Sequence, residues 1–187
     1  MYTKLVRDLM IPVNMYPTIH QSASMLDAMM VLKKANENIT PGQKPFRAVL
    51  VKNDDAKIVG KIGHIAFLKA LEPKYKQIFD MEKLARVALS SGFIDSMLQQ
   101  FSLWETGSLD LCAIVAGVKA QEIMNPIEQH IDENESIANA IHKIIMWQTL
   151  SILVTRGIEI VGIIRLSDLY DSIEDYVINS CNQKKGI

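Results

Sequence analysis

Scarcities in this 187-residue chain each remove a class of protein. It has only two cysteines, Cys112 in an apolar segment and Cys181 near the end. They lack the spacing of a zinc site or a disulfide framework, and they read as a reduced core thiol and an exposed tail thiol. Long hydrophobic runs are also missing: the longest apolar or glycine run, Leu111–Val118, is eight residues. A bilayer span needs roughly 18, so no membrane insertion is expected. Neither sign of charge dominates, with 20 Lys and Arg against 21 Asp and Glu and a net charge of -1. The basic residues are scattered, which argues against nucleic acid or an anionic membrane as partner, since both need a positive field. The first ten residues carry Lys4, Arg7 and Asp8 and no apolar core, so no secretory signal is read and a cytoplasmic location is expected.

Catalytic constellations are missing too. No Ser-His-Asp, metal-ligand, Walker or Rossmann arrangement occurs at usable spacing, so an enzyme is not expected, and no catalytic residue, metal ligand or required cofactor is assigned. His64 has no partner at ligand spacing and reads as a polar surface or capping residue. With 49% hydrophobic and 22% charged residues, the composition is that of a chain that folds.

What is present is an internal repeat. The opening motif Arg7-Asp8-Leu9-Met10-Ile11-Pro12-Val13 aligns position by position with Gln121-Glu122-Ile123-Met124-Asn125-Pro126-Ile127, so acid, aliphatic, Met and Pro recur in register. A closing motif, Lys57-Ile58-Val59-Gly60-Lys61-Ile62, matches Glu159-Ile160-Val161-Gly162-Ile163-Ile164. Between them Ser24–Met29 aligns with Ser136–Ile141, and Val49–Val51 with Ile152–Val154. The first repeat is longer, mostly at Asn36–Lys44, where Asn, Thr, Pro and Gly cluster as in a surface loop.

Each repeat reads as β-α-β-β-α. A short helical opening ends at Met-x-Pro, because the residue before proline is pushed off helical angles, and Thr18–His20 or His130–Asp132 then extends. Met25, Leu26, Met29 and Leu32, and Ile137, Ile141, Ile144 and Ile145, recur at helical spacing. Ser24 with Asp27 suits an N-terminal cap. Ala48–Val51 with Lys57–Ile62, and Ser151–Val154 with Glu159–Ile164, read as strand pairs turning at Asn53-Asp54-Asp55 and Arg156-Gly157. The expected division is 1–72 for the first repeat, 73–117 for a helical insertion, 118–180 for the second repeat and 181–187 for a tail. In the insertion, Met81, Leu84, Val87 and Ala88, then Ile94, Met97, Leu98 and Phe101, predict helices, and Ser108 is a reasonable cap for Leu109–Ala116. Phe93, Phe101 and Trp104 add aromatic area for these helices to bury.

This order of motifs, repeated once, resembles the CBS domain, whose tandem pairs are called Bateman modules; the chain resembles a stand-alone pair with a helical insertion between the repeats. The resemblance implies an α/β (α+β) fold of two repeats related by a pseudo-two-fold, with clefts between them. It implies a regulatory role: many such pairs bind AMP, ADP, ATP or S-adenosylmethionine and act on an effector protein, often as homodimers. The family's nucleotide signature is Gly-apolar-apolar-Ser/Thr-x-x-Asp. The second repeat keeps its acid as Asp168 and carries Arg165 at the hydroxyl position, so Asp168 is expected to accept ribose hydroxyls and Arg165 to contact phosphate. Met124, Asn125, Pro126 and His130 are candidates to line the cleft, and Ile152 and Val154 to press on a base. The first repeat has Gly63 and Ala66 at the matching positions and is degenerate for nucleosides. A structural or dimerisation scaffold without nucleotide binding is the alternative reading.

Overall fold

The computed structural model describes residues 4–75, 90–104 and 110–185, the side chains of 183–185 excepted. In the first repeat a 3-10 turn at Val6–Asp8 leads to β1 (Ile11–Pro12), followed by β2 (Thr18–His20), α1 (Met25–Glu37), β3 (Ala48–Lys52), β4 (Ile58–Gly63) and α2 (His64–Leu71). The insertion contributes α3 (Ser91–Gln100) and α4 (Leu111–Gly117). The second repeat follows as α5 (Ala120–Ile123), β5 (Asn125–Pro126), β6 (His130–Asp132), α6 (Ile137–Trp147), β7 (Ser151–Arg156), β8 (Glu159–Arg165) and α7 (Leu166–Lys185). The β-α-β-β-α order holds in both repeats, and the fold is mixed α and β.

Local chemistry sets the boundaries. Ser24 and Asp27 form a reciprocal cap: Asp27 N donates to Ser24 Oγ at 3.1 Å and Ser24 N donates to Asp27 Oδ2 at 3.0 Å. The hydrogen bonds from Ser24 hold the Asp27 carboxyl below its ordinary range. Ser136 caps α6 by accepting from Asn139 N. The buried line of α1 is Met25, Ala28 and Leu32, and that of α6 is Ile137, Ala140 and Ile144. Leu26, Met29 and Ile145, expected on the inner stripe, are exposed instead. A small alanine at the centre of each line lets the helix sit close to its sheet and turns the larger neighbours outward. The first hairpin turn extends one residue past the expected Asn53-Asp54-Asp55, to Ala56 (φ 59°), and the second takes its positive φ at Gly157 (φ +60°), within the expected Arg156-Gly157.

One sheet has the order β1-β8-β7-β6 and the other β2-β3-β4-β5. Parallel pairing of β2 with β3 and of β6 with β7 requires the intervening helix as a crossover, and the hairpin of β7 and β8 is antiparallel. Contacts divide the chain into two compact units: one runs to Tyr16, adds Asp55–Val59 and resumes at Pro126, and the other is Pro17–Asp54 with Gly60–Asn125. The repeats therefore exchange their opening segments, since each opening motif packs in the unit that holds the other repeat's helices.

The same bonds recur in both units. In the first, Val6 N donates to Glu135 O, Arg7 N to Glu133 O and Ile137 N to Lys4 O, at 2.9, 2.9 and 3.2 Å. In the second, Ala120 N donates to Ala23 O, Gln121 N to Gln21 O and Met25 N to Val118 O, at 2.9, 3.0 and 2.8 Å. Val6 and Ala120 are fully buried. Val6 joins Ile131, Ile137, Ala140, Ile144, Ile152, Val154, Ile164 and Leu169 in one core. The Met of each opening motif lies on the Gly of the other repeat's closing motif. A Cβ on Gly162 would come 2.7 Å from Met10 Sδ and 2.8 Å from Ile11 O, and one on Gly60 would come 2.9 Å from Met124 Sδ and 2.7 Å from Asn125 O.

The insertion is tied to α2 by one acid. Glu72 is fully buried and accepts from Trp104 N at 2.9 Å and Lys74 N at 3.2 Å. Lys74 Nζ donates to Ser102 O, and Trp104 Nε1 donates to Tyr75 Oη. Ser102 and Trp104 take left-handed backbone angles to meet these partners. The expected helical stripe at Met81–Ala88 and the proposed cap at Ser108 lie outside the described residues. The described α4 is capped by Asp110, which accepts from Ala113 N. It packs on α1 and α2 through half-buried Ile114 and Val115, and this leaves Cys112 exposed rather than in a core. Phe93 is exposed on α3, which buries none of its residues. Among the described residues no helix is long and apolar enough to cross a membrane.

Three stability measurements test this packing. Gly162→Ala and Gly60→Ala each overpack a backbone contact and are expected to cost about 1–3 kcal/mol in urea unfolding, whereas Gly92→Ala, with nothing within 4 Å, costs nothing; equal effects at all three would remove the Met–Gly contact as the cause. Glu72→Ala strands two backbone donors and is expected to cost about 1–3 kcal/mol, with a red shift of Trp104 emission. Burial pushes the Lys61 ammonium down from 10.5 to about 8. The folded state therefore bears its full penalty below pH 8 and sheds it as pH rises toward 10.5. Lys61→Met is expected to stabilise by about 1–3 kcal/mol at pH 7 and by less at pH 10; a pH-independent gain would exclude burial of the charge as its origin.

Candidate functional site

Strand β8 runs into α7 without a loop, and that junction carries the two charged residues of the second repeat's signature. Arg165 is the last residue of the strand, paired with Ser151 of β7, and Asp168 lies in the first helical turn. Leu169, fully buried, fixes the helix on the core, and Leu166 N donates to Leu150 O at 2.9 Å. The three-residue spacing thereby brings guanidinium and carboxylate face to face. Nε donates to Asp168 Oδ2 at 2.6 Å and Nη2 donates to Oδ1 at 2.7 Å. The side chains are 11% and 14% exposed. A bidentate Arg–carboxylate pair in such partly dry surroundings is strong and directional, and the acid also sits at the positive end of its helix. Chemically the junction offers a cation shaped for phosphate or carboxylate beside an acceptor shaped for hydroxyls.

The first repeat's junction lacks both groups. Gly63 caps α2 without a side-chain bond, His64 is exposed, and Ala66 stands where Asp168 stands in the other repeat. Ala66, Lys69, Tyr75, Ile123 and Asn125 border an open hollow of about 210 Å³. That is below the ~300–1,000 Å³ of pockets that enclose a small-molecule ligand.

The other expected site residues separate. Met124 and Asn125 belong to the second unit, where the Met124 thioether covers Gly60. Pro126, His130, Ile152, Val154, Arg165 and Asp168 belong to the first. Pro126 and His130 are exposed, and the carbonyl of His130 accepts from Lys143 Nζ at 3.5 Å. Ile152 and Val154 are fully buried in the core with Val6, Ile164 and Leu169, so their side chains are committed to packing.

A second ion pair escaped sequence reasoning. Arg156 Nε and Nη2 donate to Glu133 Oε1 and Oε2 at 2.5 and 2.9 Å, and the hydrogen bond from Arg156 holds the Glu133 carboxyl below its ordinary range. The two residues are far apart in sequence, and only the parallel pairing of β6 with β7 makes them neighbours. Arg165 and Asp168, by contrast, were each named from the sequence as ligand contacts, but not as partners of one another. Among the described residues no three His, Cys, Asp or Glu side chains cluster to hold a metal ion.

Comparison with known proteins places this architecture. Residues 120–175 match the model of the CBS domain family. No curated protein matches the chain. Among solved structures, CBSX2 in complex with AMP is 16% identical, with a TM-score of 0.57 over 91% of this chain and 97% of that one. A CBS domain-containing protein of unknown function from Bacillus anthracis is 14% identical, with a TM-score of 0.58 over 93% and 95%. The CBS domains of a transcriptional regulator from Streptococcus pneumoniae are 12% identical, with a TM-score of 0.55 over 90% and 98%. Residues 120–175 thus match a CBS domain, and the chain as a whole shares the fold of these CBS-domain structures.

Proposed function

We propose that this chain is a tandem CBS protein, a ligand-sensing regulatory module that takes an adenosine compound, AMP, ADP, ATP or S-adenosylmethionine, on its second repeat and alters a partner protein in response. The observation that carries this reading is the nearly buried Arg165–Asp168 pair. Replacing a buried ion pair with apolar side chains is often neutral or stabilising, so a scaffold alone has no need of it. Ligand chemistry does: Asp168 suits ribose hydroxyls and Arg165 suits phosphate. The AMP complex of CBSX2, a protein of similar fold, supports the same ligand class. Pro126 and His130, in the same unit as the pair, keep exposed surface for contact with such a ligand, whereas Ile152 and Val154 do not.

Ligand binding regulates only through different affinity for two states of the protein. Catalysis is no part of this reading. A homodimer belongs to it: Ile145, Met146, Tyr170 and Ile178 leave apolar surface exposed on α6 and α7. The scaffold reading is favoured by one observation, the loss of both signature side chains at Gly63 and Ala66 in the first repeat.

Thermal melting with each adenosine compound separates the two. A ligand at 100 times its dissociation constant is expected to stabilise by about 2.7 kcal/mol, and Asp168→Ala to abolish that gain. Ala66→Asp is expected to add affinity at the first repeat. No shift with any of the four compounds would favour the scaffold.

A further inference from the structure

The methionines of this chain differ in what surrounds their sulfur. Met25 is fully buried in α1, and Met15, Met29, Met30 and Met146 are exposed. Met10 and Met124 are half-buried, with part of their surface open to water, yet each sulfur lies against a buried glycine. Where a Cβ on Gly162 would stand, the nearest atoms are Met10 Sδ at 2.7 Å and the Ile11 carbonyl oxygen at 2.8 Å. For Gly60 they are the Asn125 carbonyl oxygen at 2.7 Å and Met124 Sδ at 2.9 Å. An oxygen bonded to the sulfur on that side has no room, and it meets another acceptor. On the open side it must be hydrated, which draws the sulfur off the glycine and forfeits the packing.

We infer that Met10 and Met124 are modification sites for hydrogen peroxide, and that their oxidation to sulfoxide unseats the opening segment of each repeat. The sulfur lone pair attacks one peroxide oxygen, so that the S–O bond forms and the O–O bond breaks. The thioether is oxidised by two electrons, and the departing hydroxide takes the proton from the transferred oxygen and leaves as water. A flexible apolar side chain thereby becomes a polar one at a close-packed contact. In the first unit, the segment that lifts carries β1 off β8 and Val6 out of the core on which Met10 itself packs. In the second, it carries Ala120 off the capped end of α1. The inference does not depend on a ligand at the second repeat.

Graded hydrogen peroxide on the full chain, followed by mass-spectrometric peptide mapping, hydrogen exchange and melting of the same samples, tests it. Met15, Met30 and Met146 are expected to react first, and Met10 and Met124 well before Met25. The amides of Val6, Arg7 and Met10, and those of Ala120, Gln121 and Met124, are all hydrogen-bonded. Once Met10 and Met124 are sulfoxides, these amides are expected to lose protection about tenfold or more, and the melting temperature to fall by about 2–10 °C. The double variant Met10→Leu, Met124→Leu, close in volume and without the sulfurs, is expected to keep its protection and melting temperature under the same treatment, although Met15, Met30 and Met146 still react. Three results each overturn the inference: Met10 and Met124 reacting no faster than Met25, sulfoxide at both with protection unchanged, or a double variant as sensitive as the wild type. Should that variant not fold, the order of reaction and the exchange of the wild type decide alone.

Discussion

Where the chain turns at Met10 and again at Met124, a thioether lies across a glycine of the other repeat's hairpin, Gly162 and Gly60, so closely that a single added carbon would meet both sulfur and backbone oxygen. That contact seats each opening segment. Once seated, the segment adds β1 to the edge of β8, pairs Ile11 with Ile163 and Pro12 with Gly162, and directs Val6 into the core beneath α6. In the other unit it carries Ala120 to the capped end of α1 through the same set of backbone bonds. A short repeat buries too little surface to be stable alone, and exchanging these segments lets each unit complete its core with residues from the other repeat.

The shared frame makes the differences between the repeats informative. Both have a strand that runs straight into a helix after the closing glycine. One junction holds Arg165 and Asp168 in a sequestered ion pair, and the other holds Gly63 and Ala66, with Ala66 beside an open hollow of about 210 Å³. Polar groups are costly to keep from water, so the two junctions differ most in the charged pair that the second repeat keeps sequestered. The insertion breaks the symmetry elsewhere. The buried Glu72 carboxylate fastens the turn after α3 to the end of α2, and α4 rests on the first repeat's helices, a feature without counterpart in the second repeat among the described residues.

Much of this was legible in the residues. The two repeats, their β-α-β-β-α order, the Ser24 cap and the strand pairs follow from local periodicity and from side chains that bond to their own backbone. Asp168 and Arg165 were legible as candidates through the resemblance of Gly162–Asp168 to the family signature Gly-apolar-apolar-Ser/Thr-x-x-Asp. The inner faces of the helices were less so: Ala28 and Ala140 carry too little hydrophobicity to announce themselves, yet their smallness decides which side of α1 and α6 approaches the sheet. Cys112 was misplaced for a related reason, since α4 is apolar all round and only its neighbours determine which face is covered.

Sequence by itself thus determined the repeat, its elements and the asymmetry of its two signatures, because each depends on residues within a few positions of one another. Tertiary structure alone decided that Met10 serves Gly162 and Met124 serves Gly60, that Ile152 and Val154 are spent in the core, and that Arg165 occupies both oxygens of Asp168. Nothing local distinguishes one Met-x-Pro from the other, so the choice of partner is made by long-range burial and backbone pairing. Proximity of an acid and a base in sequence likewise leaves their orientation open, and it is the anchoring of Leu169 in the core that turns the first helical turn toward the end of the strand.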